Sequence, residues 1–377
     1  MEFNLSEETV LLKNNAERFL KEKCPTSFVK NMMKDEKGYS VDLWKEMARL
    51  GWLGLIYDEK YGGIGGSLFD LFILCKEMGK VLLPSPFFCS TILSGMVINE
   101  AGDSHLKEAY LPAMIQGDKI LTLAMFDEQG RNDLNDPKLV GRESSDSSHY
   151  VINGVRILVP FAHIADEIIV WVKMEGSEGE GATLLKVDRK ADGQRLIPLD
   201  ILTAEKNFSV VYENAKISAK NRIGEMGKGR VYLKKILPRI VILKCAEMLG
   251  GLERVVEMTV EYAKQRNQFG KPIGSFQVIQ HYCVDMFTFL EATKMITYQA
   301  ASLLSEGIPC EKEIAMAKAW ASDSYKKCTW IAHQIHGGIG FTEEHDLHLF
   351  YKHAKASELV FGDSWFHRKK VADEMGL

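Results

Sequence analysis

Several residue groupings in this chain invite chemistry. Residues 61–66 (YGGIGG) have the glycine density of a phosphate cradle. They lack the Lys-Ser/Thr pair of a P-loop, and no strand-like run precedes them, so a turn between helices is the favoured reading. His345, His348 and His353 offer imidazoles, the first two spaced to share a helix face, but no third clear ligand completes a metal set. The seven cysteines (24, 75, 89, 245, 283, 310 and 328) are odd in number and nowhere form Cys-x-x-Cys. That pattern disfavours zinc ribbons and disulfide frameworks and predicts reduced core residues.

The chain that must position such groups has 377 residues, 46% apolar and 26% charged, with a formal charge of −4. It is long enough for a large core divided among two or three domains, which excludes a disulfide scaffold and a disordered chain. Lys plus Arg (47) falls below Asp plus Glu (51), so no basic excess points to nucleic acid. The opening residues, MEFNLSEETVLLKNNAERFL, carry no basic segment followed by an apolar one, and no run approaches about 18 apolar residues. A soluble cytoplasmic protein without a membrane partner is expected.

Periodicity divides the chain into three. Residues 1–118 read as an N-terminal helical domain, with Ser6 as N-cap before Glu7 and Glu8, an apolar face on Val10, Leu11, Ala16, Phe19 and Leu20, and further helices over 41–50 and 68–81. Residues 119–225 read as a middle β domain with runs at 120–125, 150–152, 155–159, 168–172, 182–187 and 208–212. There Asn153-Gly154 signals a hairpin, and 142–149 and 175–181 read as loops joining antiparallel strands. Residues 226–377 return to long helices, about 231–265, 277–305, 312–336 and a last one from Asp346. Pro272 and Pro309 break between them, and four such helices make a bundle.

This order, together with residues 262–277 (YAKQRNQFGKPIGSFQ) and 334–344 (QIHGGIGFTEE), resembles the acyl-CoA dehydrogenase family over essentially the whole chain. The resemblance implies an α+β multidomain fold with an N-terminal helical domain, a middle β domain and a C-terminal four-helix bundle. In that family the Arg-x-x-Phe-Gly and Gln-x-x-Gly-Gly segments bind FAD, usually across a subunit interface. Carried over, Arg266, Phe269, Gly270, Gln277, Gln334, Gly337 and Gly338 become cofactor-binding positions. Arg266 would offer a fork of donors to the pyrophosphate, and the glycines would let backbone N–H groups approach it. The implied reaction is α,β-desaturation of an acyl-CoA thioester, with electron-transfer flavoprotein as the electron acceptor.

The sequence departs from the family at the reacting end. The usual Glu base, placed after an Arg-Asp-Ala segment that here reads Lys352-His353-Ala354, falls on Phe361. Phe cannot take a proton, although its backbone N–H can still polarise a carbonyl. An alternative family position for the Glu falls on Ile240. The Glu-Pro-Gly segment reads Asp127-Glu128-Gln129, the Trp and Thr beside the flavin ring read Leu158 and Pro160, and the CoA-side Asp and Arg read Pro238 and Val241.

The pyrophosphate half of the implied site is therefore present and the ring half eroded. One reading is a subunit paired with a paralogous acyl-CoA dehydrogenase subunit that supplies the base, like the smaller subunits of heteromeric family members. A second is a self-sufficient homo-oligomer using Asp363, with Glu358 and Glu247 behind it. A third is a non-catalytic binding or structural subunit.

Overall fold

The computed structural model describes residues 5–131, 138–175 and 181–377. They form two compact bodies. One contains the segment ending at Lys30 together with Ser67–Leu83 and Val241–Leu377, and the other contains Asn31–Gly66 and Pro84–Ile240.

The N-terminal third is helical: α1 (Glu7–Lys23), α2 (Thr26–Lys34), α3 (Val41–Arg49), α4 (Leu68–Lys80), α5 (Gly95–Ala101) and α6 (Ser104–Ile115). Short polar side chains set the starts. Ser6 Oγ accepts from Thr9 N, and Ser67 and Asp70 form a reciprocal capping box on α4. Thr9 Oγ1 also donates to Asp70 at 2.6 Å, so one carboxylate caps α4 and ties α1 to it. The glycine-rich turn is an internal structure. The amides of Gly63, Ile64, Gly65 and Gly66 all bond to backbone carbonyls of residues 54–58, which leaves none of the four for a phosphate.

The sheet comprises β1 (Leu121–Leu123), β2 (Val140–Glu143), β3 (His149–Pro160), β4 (Glu167–Met174), β5 (Ala182–Asp188), β6 (Gln194–Leu199), β7 (Asn207–Ser218) and β8 (Arg222–Ile223). Their order is β6-β7-β3-β2-β4-β5-β8, with β1 also on β4. Alternating residues Ile168, Val170 and Val172 of β4 pack with Tyr150, Ile152, Leu185, Val187 and Val210 in one core.

Four expectations need correction here. Asn153-Gly154 makes no hairpin, because the runs on either side of it lie along one strand and pair with the same partner, β7. A register shift at Gly154 (φ +133°) absorbs the turn signal as a bulge, and Asn153 Oδ1 accepts from Asn214 N across the ladder. The stretch 142–149 is partly strand, since β2 reaches Glu143 and pairs with β3. The sheet is mixed, because β1 and β2 both run parallel to β4. β6 was not anticipated: its partly exposed pattern and Pro198 suit its place at the end of the strand order.

The chain then returns to helix through α7 (Gly229–Gln265), a small hairpin of β9 (Asn267–Gln268) and β10 (Lys271–Pro272), α8 (Gln277–Ser305), α9 (Glu311–His336), α10 (Leu347–Leu359) and α11 (Ser364–Glu374). The last helix expected from sequence is thus two. Positive φ at Phe361 (+61°) and Gly362 (+98°) divides it. The fold class expected from the sequence, helices then sheet then helices, is the observed one. All seven cysteines are free, and six are buried. Among the described residues no helix is long and apolar enough to cross a membrane.

Candidate active site

Tyr262, on the last turn of α7, joins the two signature segments. Its ring stacks on His336 at 4.3 Å between centroids, and its hydroxyl donates to the His336 carbonyl at 3.4 Å. Arg266 follows one turn later, and Gly337 follows His336 directly. Gly337 ends α9 at φ +62°. The chain reverses after Arg266 in the β9–β10 hairpin, where Phe269 (φ +52°) and Gly270 (φ +78°) occupy the turn and Phe269 is 91% exposed. Gln277 then opens α8.

Arg266, Gln277, Gln334, Gly337 and Gly338 are all exposed. Arg266 has no acidic partner among the described residues, so it is not a structural ion pair. A Cβ placed on Gly270, Gly337 or Gly338 would meet nothing within 4 Å among the described residues beyond its chain neighbours. His336 is buried, donates Nδ1–H to the Ala332 carbonyl, and leaves Nε2 without a partner. Burial pushes this imidazole down to about 4, so it is neutral at pH 7 and its open nitrogen accepts.

The three carboxylates considered as bases are otherwise engaged. Asp363 is the N-cap of α11, and its Oδ1 accepts from Phe366 N at 2.8 Å. Arg368, a conceivable partner for it, pairs with Asp323 instead. Glu358 is buried between Lys326 and Lys355, with Oε2 2.9 Å from Lys355. Glu247 on α7 meets Lys244 at 2.9 Å and His353 Nε2 on α10 at 2.7 Å. Burial alone would raise Glu247, but Lys244 and the His353 hydrogen bond outweigh it and hold the carboxyl down to about 2. Such a weak base is poorly matched to proton abstraction near pH 7.

This pair gives a stability prediction. Because the folded value lies below the ordinary 4.5, the Glu247 contribution is complete above pH 4.5 and is lost as pH falls toward about 2. The native chain is expected to lose melting temperature more steeply across that window than Glu247→Gln. Parallel melting curves against pH would refute it.

The remaining departures have structural roles. Asp127 is buried in a turn, with Oδ1 accepting from Gln129 N and Arg131 N at 2.9 Å. Leu158 sits at φ +52° in a bulge of β3, and the Pro160 carbonyl accepts from Thr122 Oγ1 at 2.7 Å. Ile240 and Val241 are buried within α7. His345 lies before α10 beside His336, and His353 is held by Glu247, so the three histidines considered for a metal do not act together. Among the described residues no three metal-ligating side chains converge.

Known proteins agree with the motifs. The sequence profile "Acyl-CoA dehydrogenase, N-terminal domain" matches residues 6–118, and "Acyl-CoA dehydrogenase, C-terminal domain" matches 227–376. A 3-(aryl)acrylate reductase of Clostridium sporogenes is 30% identical over 89% of this chain and 90% of its own length. The caffeyl-CoA reductase-Etf complex subunit CarC of Acetobacterium woodii is 27% identical over 95% and 96%. The solved butyryl-CoA dehydrogenase of Megasphaera elsdenii superposes with a TM-score of 0.91 at 27% identity, each chain covered completely. The fold and its signature segments thus define a flavoprotein oxidoreductase. This chain belongs to the acyl-CoA dehydrogenase family, and its chemistry is FAD-dependent oxidation or reduction of acyl-CoA thioesters.

Proposed function

We propose that this chain interconverts saturated and α,β-unsaturated acyl-CoA thioesters as the base-lacking, cytoplasmic subunit of a hetero-oligomer, with a paralogous dehydrogenase subunit supplying the carboxylate. The observation that supports this reading is that Asp363, Glu358 and Glu247 each have a structural partner, while the resemblance puts Phe361 where the base is expected. Arg266, Gln334, Gly337 and Gly338 would hold the phosphate end of FAD, with Phe269, Gly270 and Gln277 beside them. Their fit rests on a guanidinium with no acid beside it and open space over the glycines. Bound FAD supplies hydride acceptance or donation at the β-carbon. This chain contributes binding and carbonyl polarisation, and the α-proton passes to or from the partner's carboxylate. Electron-transfer flavoprotein is the proposed redox partner, in keeping with the Etf complex named for the Acetobacterium woodii relative.

Purification alone and with a paralogous subunit, followed by the flavin spectrum and solution mass, tests this. Flavin and butyryl-CoA oxidation that appear only in the mixed oligomer are expected. Full flavin and turnover from this chain alone would overturn it.

One observation favours the second reading. Only Oδ1 of Asp363 serves as the cap, and the side chain is half-buried rather than sealed. Asp363→Asn retains a capping oxygen and removes the basic one. On the hetero-oligomer reading it leaves substrate-driven flavin reduction within about twofold, because the base lies elsewhere. Abolished reduction with FAD still bound would assign the base to Asp363.

A further inference from the structure

Arg156 on β3 is only 1% exposed, and an arginine so deeply buried ordinarily has an acid beside it. Here it has none among the described residues. Its Nη2 donates to the Trp171 carbonyl on β4 at 2.9 Å, and the guanidinium carbon lies 5.1 Å from the centre of the Trp171 ring. Nε has no partner, and no further acceptor among the described residues meets the group. A full charge with five N–H groups thus sits inside the sheet on one neutral acceptor.

Two more buried donors beside it are unpartnered as well: Trp171 Nε1–H and the Tyr212 hydroxyl, each on a side chain 1% exposed. On the β3–β7 ladder Gly154 faces Tyr212 and Arg156 faces Val210, so Arg156 and Tyr212 are diagonal neighbours that project to the same side. The guanidinium opposes the rise that burial imposes on the Tyr212 phenol, which sets the two groups within electrostatic reach. Three strands therefore bring three kinds of donor around one cation.

The chain does not neutralise that cation. Asp127 is the carboxylate whose field reaches it, but Oδ1 already accepts from Gln129 N and Arg131 N, and Oδ2 from Arg131 Nε at 3.3 Å. Burial lowers the Arg156 guanidinium to about 10, so it stays charged at pH 7. Water on the free N–H groups would supply acceptors and leave the charge uncompensated, which is the costly part of burying it. An anion supplies both. One unanswered guanidinium among neutral donors balances a single negative charge, donors from three strands suit a spherical acceptor, and the depth of all three side chains limits its size.

We propose that Arg156, Trp171 and Tyr212 form a structural binding site for one small monovalent anion of chloride size within the sheet. This goes beyond the oxidoreductase reading and does not depend on it. The site adjoins the register shift between Arg156 and Val159, where Leu158 stands at φ +52°. An anion held by Arg156 braces that irregular stretch of β3 against β4 and β7.

The test measures melting of the full chain in potassium chloride against potassium gluconate at one ionic strength. The native chain is expected to gain about 2 °C for each tenfold rise in chloride above half-saturation. Tyr212→Phe, which removes one donor and no charge, is expected to raise the chloride concentration at half-effect about tenfold. Arg156→Met is expected to abolish the response, and in gluconate to melt no lower than native because the uncompensated charge is gone. Crystals of the native chain grown in sodium bromide, which need no variant to fold, are expected to show an anomalous peak within hydrogen-bond reach of Arg156 Nε. No bromide at Arg156, or a chloride response that Arg156→Met retains, would overturn the proposal and leave water on these donors. Neither readout involves flavin or turnover, so failure here leaves the oxidoreductase reading standing.

Discussion

Gly250→Ala is expected to lower the melting temperature sharply, because α4 and α7 cross there backbone to backbone. A Cβ on Gly250 would lie 1.9 Å from the Lys76 carbonyl oxygen, and one on Gly79, across the crossing, 2.0 Å from the Glu247 carbonyl oxygen. Neither contact is with a flexible side-chain tip, so the helices themselves must separate. Separation also opens the ion network beside the crossing. Lys76 meets Glu77 at 3.3 Å and Glu253 at 2.5 Å, and Lys80 meets Glu253 at 3.0 Å. Lys76 and Glu77 are almost wholly buried, so neither can turn to water for a substitute partner. Overpacking combined with loosened buried pairs sets the loss at about 3 kcal/mol. For a chain of this size, whose unfolding entropy grows with its length, that is a shift of roughly 4 °C. Differential scanning calorimetry measures it, and a shift below about 2 °C would mean that the crossing accommodates the methyl group.

The helical bodies were legible in the sequence because single elements carry their own signals. Apolar spacing and Pro309 placed a helix over 312–336, and the structure has it at Glu311–His336, ended by Gly337. Ser6 and the 68–81 segment were likewise readable from caps and period. The sheet was less so, since a strand pair depends on residues far apart. Asn153-Gly154 is a turn signal only when its flanks pair with one another, and here β7 claims both.

The same division holds at the site. Counting from Gly337-Gly338 gives Phe361 as the expected position of the family's base. The groups that engage the neighbouring polar atoms were not countable in this way, because they come from remote segments: Glu247 and His353 are 106 positions apart, and Lys318 and the Gly362 carbonyl it donates to are 44. A lysine among alanines in the apolar run of α9 was the available clue to the second pair.

Arg266→Ala is expected to strip flavin from the oligomer while leaving the fold intact, and its value lies in that separation. The guanidinium is exposed and has no acidic partner among the described residues, so truncation removes no ion pair seen in this chain. Melting of the apoprotein should stay within about 1 °C of native. If Arg266 grips a pyrophosphate, the variant loses charge-assisted hydrogen bonds of about 1.5–3 kcal/mol, or roughly 10- to 150-fold in FAD affinity. Flavin per chain after gel filtration, with apoprotein melting beside it, reads both quantities. Gly338→Ala provides an independent check on the same surface: its added methyl meets nothing within 4 Å among the described residues beyond its chain neighbours, so any lost flavin reflects the space the cofactor requires. Unchanged flavin in both variants would remove this surface from the cofactor site. Loss in both would assign these exposed segments to the flavin site.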